Sequence, residues 1–257
     1  MEDNLARRLV EQAAAEAAAW GMNLAGVIDA EAYDSGAPAG HRLRDAWPAA
    51  GSALILGSAG PLFWERFLAR RAREPALARL DDPLDAHTVD VVAPIVTLFR
   101  EQGVAARAVF PFYGAQDHAL SFRCLSFRAG FGADSVLGLI LHPEYGPWNA
   151  ARAAVLTAAS LPPSMPLSAF RPCVGCPAPC VAACPGDAFP DGRWSDTICL
   201  EAKRQIEPCR TSCLARIHCV IGAAHRYPED EMAYHCASPE ARKLPDLTSG
   251  DAVDDPR

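Results

Sequence analysis

Along the chain, the apolar and polar pattern opens on residues 3–20, a stretch rich in Ala, Glu and Arg that predicts a first helix. A short apolar run from Met22 to Ile28 follows Gly21 and predicts a strand. Residues 29–51 mix Gly, Pro and charge and read as a loop with room for one helical turn. Ala53 to Leu56 predicts a buried strand, and Gly60–Pro61 opens a helix to about Arg73 with proline at its first position. Asp82 is placed as the N-cap of a further helix, whose apolar positions Leu84, Val92, Ile95 and Phe99 keep helical spacing until Gly103 stops it. Pro94 inside that pattern predicts a kink. Val104 to Phe110 predicts a strand and Asp117 to Ala129 a helix. Ser135 to Leu141 and Ala150 to Ala159 predict two strands joined by the turn-rich HPEYGPWN.

Helices alternating with short apolar strands predict a layered α/β domain over residues 1–166, ending in the linker-like LPPSMP. From Arg171 the periodicity gives way to Cys, Pro and Gly, which sets off residues 167–224 as a separate module. A C-terminal helix over 225–245 is expected to pack back on the α/β domain, and the polar 246–257 reads as a disordered tail.

Composition changes this picture in two ways. The net charge of −7 and the scarcity of lysine argue against a nucleic-acid surface. No apolar run is long enough to span a bilayer, and the charged opening MEDNLARRLVEQAAAEAAAW holds no signal-peptide core, so the expectation is a cytoplasmic protein without a membrane. Of ten cysteines, nine lie between Cys173 and Cys236. Thiols crowded into one segment of a chain with no visible export signal read as metal ligands rather than disulfides.

The segment CVGCPAPCVAACP spaces Cys173, Cys176, Cys180 and Cys184 as C-x2-C-x3-C-x3-C-P. It resembles the bacterial ferredoxin run, C-x2-C-x2-C-x3-C-P, with one residue added in the middle gap. Cys199, Cys209, Cys213 and Cys219 form a second, looser set, and Cys219 lacks the following proline. The resemblance implies a ferredoxin-like module holding two [4Fe-4S] clusters. Ligand exchange as in two-cluster ferredoxins implies Cys173, Cys176, Cys180 and Cys219 on one cluster, and Cys184, Cys199, Cys209 and Cys213 on the other. Structural zinc is the competing reading of the same thiols. Cys124, in an apolar helical pattern, reads as a buried small hydrophobe, and Cys236 has no assigned role.

The remainder resembles the cobalamin-processing decyanase/dealkylase family of the CblC type. SALILGSAGPLFWERF (52–67), DPLDAHT (82–88), GLILHPEYGPWNAARAAV (138–155) and HRYPEDEMAYH (225–235) carry the resemblance in a shared order. It implies a flavin-reductase/nitroreductase-like fold that holds cobalamin base-off, with Arg152 at the position of a glutathione-binding arginine. Gly138, His142, Tyr145, Gly146, Trp148 and Arg152 are the implied cofactor-facing residues. Each has a plain alternative: His142 as a turn residue, Tyr145 and Trp148 as cover for a core, Arg152 as a paired surface charge. Gly138, inside a presumed strand, would mark close backbone approach to the macrocycle.

The chain also resembles the corrinoid and iron–sulfur part of epoxyqueuosine reductase, in which a cobalamin domain precedes two [4Fe-4S] clusters. ICLEAKRQIE (198–207) carries part of that likeness, and FPFYGAQDHAL (110–120) offers only Asp117 for the catalytic acid that family implies. These resemblances imply an iron–sulfur oxidoreductase that reductively processes cobalamin, fed by an electron donor of flavodoxin or ferredoxin reductase type. The alternatives are an epoxyqueuosine-reductase-like enzyme and a non-catalytic corrinoid chaperone or electron-transfer protein.

Overall fold

The computed structural model describes residues 3–112 and 120–237. The predicted helix start at Asp117, the last part of the 225–245 helix and the 246–257 tail lie outside the described residues.

Four strands build one antiparallel sheet. In chain order the first part runs α1 (Asp3–Ala19), β1 (Leu24–Asp29), α2 (Ala30–Asp34), α3 (Leu43–Ala46), β2 (Ser52–Ala59), α4 (Leu62–Arg73), α5 (Pro75–Ala78), α6 (Pro83–Glu101) and β3 (Ala106–Val109). Then come α7 (Phe122–Arg128), β4 (Ala133–Asp134), β5 (Ile140–Leu141) and β6 (Asn149–Thr157). The spatial order is β1-β2-β6-β3, and every pairing is antiparallel. β2 is central and buried along its whole length, which is why SALILGSA reads as a continuous apolar run rather than an alternating one.

Alternate residues of β2 and β6 feed two cores. Leu54, Leu56, Ala153 and Val155 face α1, α4 and α6, where Trp64, Phe67, Ile95 and Phe99 fill the layer. Ala53, Ile55, Ala154 and Leu156 face α2, α3 and α7, with Tyr33, Leu43 and Leu125. Burying each of these large side chains contributes roughly 1.5–3 kcal/mol. Asp82 does cap α6, its Oδ1 accepting from the Asp85 N–H at 3.1 Å. The helix assignment continues through Pro94 to Glu101. Pro61 is the N-cap of α4, one position ahead of where the sequence put it.

Three expectations change. SVLGLIL is not a strand along its length: only Ile140–Leu141 pairs, with β4. The Ser135 hydroxyl donates to the Leu139 carbonyl at 2.8 Å and accepts from the Leu137 N–H, closing a turn that a local apolar count cannot reveal. The LPPSMP stretch is tied to the edge of the sheet, since Ser164 and Val27 exchange two hydrogen bonds, of 2.9 and 3.0 Å. Cys124 is exposed on α7 rather than buried.

The cysteine-rich stretch carries short helices: α8 (Pro179–Ala182), a 3-10 turn (Pro190–Gly192), α9 (Asp196–Gln205), α10 (Pro208–Thr211) and α11 (Leu214–Ile217). α12 (Glu229–Cys236) then returns to the first part of the chain. The Trp64 indole donates to Asp230 at 2.9 Å, and the Tyr234 hydroxyl donates to Asp82, the N-cap of α6, at 2.6 Å. The end of α12 is held from the other side by Lys203, whose ammonium donates to the Cys236 carbonyl at 3.1 Å.

Candidate functional site

The cysteines fall into two groups in space, and sequence order does not separate them. Cys173, Cys176, Cys180 and Cys219 line one part-open cavity together with the apolar Val136, Leu137 and Leu141. The Cys180 thiol is pushed up by burial and then by Cys219, Cys173 and Cys176, and Cys219 is pushed up by burial and then by Cys173 and Cys176. The other neighbourhood holds Cys184, Cys199, Cys209 and Cys213: burial and then Cys184, Cys199 and Cys213 push up the Cys209 thiol. Cys213, raised chiefly by burial, feels Cys199 and Cys184 and is eased by Arg216. Among the described residues no three His, Cys, Asp or Glu groups converge at the spacing of a single metal ion. Four thiols around a shared cavity are soft donors suited to an iron–sulfur cluster, which spreads its ligands around several irons. Cys236 is a ninth thiol nearby, buried against the Met232 sulfur at 3.7 Å, and burial pushes it to about 11.

The cysteine-rich stretch meets the first part of the chain through backbone. Gly146 and Gly222 both have positive φ, of 57° and 73°. A Cβ on Gly146 would overlap the Ile221 carbonyl, and one on Gly222 would overlap the Tyr145 carbonyl, so two glycines let the chains touch. Arg216 on α11 locks the same contact, its guanidinium donating twice to the Pro147 carbonyl at 3.1 and 2.6 Å.

The residues expected at a corrinoid face separate into three environments. Gly138 sits in the Ser135–Leu139 turn with φ 72°, and a Cβ there would come within 2.6 Å of the Trp194 ring. Its close approach is thus to a side chain of the cysteine-rich stretch, and it lies in a turn, a correction to the strand reading. Trp148 is fully buried, with Tyr227 at its edge and the Arg216 guanidinium 4.9 Å over its ring, so it has no open face for a tetrapyrrole. His142 and Tyr145 stay half-buried at the β5–β6 connection. His142 Nδ1 accepts from the Glu144 and Tyr145 N–H groups, which makes it a turn former, and its basicity is lowered by burial. The Tyr145 ring packs on His225 at 4.5 Å.

Arg152 is the extra residue of a β-bulge: Leu56 pairs with Ala153 and Gly57 with Ala151. A bulge re-aims a side chain. Here the Arg152 guanidinium lies 4.9 Å over Phe63, with its Nε donating to Ser58 at 2.8 Å. It acts on a chamber of buried polar side chains that sequence reasoning missed. Glu231 is 1% exposed there, with Oε2 unpartnered and Oε1 3.7 Å from His235 Nε2. The Trp148 indole N–H is also buried without a partner, and the Tyr227 hydroxyl is buried beside Arg216. Burial pushes Glu231 up to about 8 against the pull of Arg152 and Arg216. Glu231 stood inside the HRYPEDEMAYH segment, but nothing in the sequence says that its side chain turns inward.

No protein-family model and no curated protein matches the sequence. Solved structures do match in three dimensions. A crystal structure of epoxyqueuosine reductase with a tRNA-Tyr stem loop aligns at TM-score 0.61 and 17% identity, over 91% of this chain and 70% of that one. The C. elegans B12-trafficking protein CblC aligns at 0.57 and 14%, over 93% of both chains. The fold is shared with B12-handling proteins. A reductive dehalogenase described as B12-dependent aligns at 0.51 and 15%, over 91% of this chain but only 35% of its own length. The CblC-type fold expected from the sequence is thereby found, with its antiparallel sheet and flanking helices. Because identity is below a fifth, the likeness is one of architecture.

Proposed function

We propose that the chain is an iron–sulfur oxidoreductase that takes a corrinoid as its substrate and removes the upper ligand reductively. In this reading Cys173, Cys176, Cys180 and Cys219 hold one [4Fe-4S] cluster, and Cys184, Cys199, Cys209 and Cys213 hold the second. Residues 167–224 then act as a ferredoxin-like module, residues 1–166 as the corrinoid-binding domain, and α12 as the C-terminal helix that packs back on that domain. The observation that carries the reading is the sorting of eight thiols into two groups of four, on a fold shared with B12-handling proteins.

Bound clusters would supply electrons at potentials that reach about −700 mV, low enough for cobalt reduction. The chain's own residues supply position and dryness. Arg216 and the Gly146–Gly222 contact hold the cysteine stretch against the sheet. His142, Tyr145 and His225 form a half-buried edge at that junction, where a base-off cobalamin would meet the protein. The electron donor is a small low-potential carrier of flavodoxin or ferredoxin reductase type.

A second reading, an epoxyqueuosine-reductase-like enzyme, is favoured by the same two groups of thiols, since CblC-type proteins do not require clusters. Anaerobic reconstitution separates these ideas. Iron and sulfide should each approach about eight per chain for two clusters. Added cobalamin should shift to the base-off spectrum, and reductant should then release its upper ligand faster with clusters than without. Stoichiometric zinc without sulfide, or no spectral shift at micromolar protein, refutes the proposal. Turnover of an epoxyqueuosine-bearing stem loop would favour the second reading.

A further inference from the structure

The chamber around Glu231 is built from several elements. Arg152 comes from β6, Arg216 from α11, Glu65 from α4, and Asp230 and His235 from α12 itself, with Tyr227 just ahead of it. Arg216 belongs to both the chamber and the second cysteine group. It stacks over Trp148 and Tyr227 at 4.9 and 4.6 Å, acts on Glu231, and acts on the Cys213 thiol at the start of its own helix. Charge placed on that group is therefore sensed in the chamber. Two guanidiniums act on a buried acid that retains an unpaired oxygen. A buried polar atom left unpaired costs about 1–3 kcal/mol, so its persistence calls for a role.

We propose that Glu231 is an internal proton site linked to the redox state of the Cys184, Cys199, Cys209 and Cys213 group, so that an electron stored there brings a proton into the chamber. This rests on the iron–sulfur reading above. The balance is simple. One electron from a low-potential donor converts one ferric to one ferrous site, and one proton from solvent joins the Glu231 carboxylate. The added negative charge offsets Arg216 and makes the acid hold its proton more tightly. A tendency to lose the proton only near pH 8 puts the linkage in reach of ordinary buffers.

The test uses the full-length reconstituted protein without cobalamin, so that failure of corrinoid binding has no bearing on it. Potentials are measured by redox titration followed by electron paramagnetic resonance from pH 6 to 10. In the wild type, one cluster's potential should be flat at low pH and fall above about pH 8. Glu231→Gln should make it flat throughout. Glu231→Asp should restore the fall with a displaced midpoint, which separates a proton role from a structural one. Infrared redox difference spectra at pH 9 should show a protonated-carboxyl band growing on reduction in the wild type and missing in Glu231→Gln. An unchanged pH profile in Glu231→Gln, or no carboxyl band, overturns the proposal. Absence of iron and sulfide, seen in the elemental analysis beforehand, overturns it together with the iron–sulfur reading.

Discussion

At the scale of single residues, two buried groups give this protein opposing responses to pH. His87 lies on α6 among Trp20, Phe63 and Phe67, fully buried, and burial lowers it to about 4. Its folded value lies below its unfolded one, near 6.5, so the unfolded chain binds the extra proton between those limits. Stability from His87 is complete above pH 6.5 and is lost on acidification towards 4, by about 3 kcal/mol at most. Glu231 has the reverse sign. Its folded value of about 8 exceeds the unfolded 4.5, so the unfolded chain releases the proton and stability falls as pH rises through that window. The slopes cancel in part between pH 4.5 and 6.5. Thermal unfolding at pH 5, 7 and 9 should therefore show His87→Phe losing the acid sensitivity. Glu231→Gln should gain stability at pH 9 on the order of a few kcal/mol. Parallel pH profiles for all three proteins would show that neither group carries its burial into the folding equilibrium. Neither residue was singled out from the sequence. Both sat within quoted segments, but burial depends on which helix covers them, and that is a long-range fact.

Elements were more legible than their edges. α1, α4, α6, β1 and β2 follow from periodicity and caps, because each is amphipathic or wholly apolar over enough residues for local pattern to decide. The 135–141 stretch misled because Ser135 and Gly138 close a turn within an apolar run. The element that matters most for the site is the β5–β6 connection, which touches the cysteine-rich stretch through Gly146 and Gly222. Gly146→Ala would combine an unfavourable positive φ with overlap against the Ile221 carbonyl. The backbone strain alone costs of order 1–3 kcal/mol. The variant should lower the melting temperature and make the 161–172 connection more sensitive to protease. The control Gly40→Ala, also at positive φ but with open space around its Cβ, should pay only the smaller conformational cost. Equal losses in both would show that the contact with Ile221 contributes nothing.

At the scale of the whole molecule, α12 fastens the two halves of the chain. Its Tyr234 reaches the α6 cap, its Asp230 the α4 indole, and its last carbonyl the Lys203 ammonium of α9. Tyr234→Phe removes one hydrogen bond and keeps the ring, and should cost about 1–2 kcal/mol. Tyr234→Ala also empties space beside Trp64 and should cost about 3–5 kcal/mol. If α12 couples the halves, that second variant should also bind iron less firmly under chelator challenge. Iron retention identical to wild type would confine α12 to the sheet side. The sequence by itself determined α1, α4, α6 and the concentration of thiols, because these depend on composition and short-range spacing. Only the tertiary structure decided the antiparallel order of the sheet, the inward turn of Arg152 at its bulge, the burial of Trp148 and the acid enclosed at Glu231. Each of these depends on contacts between residues far apart in the chain, and local pattern carries no record of the partner.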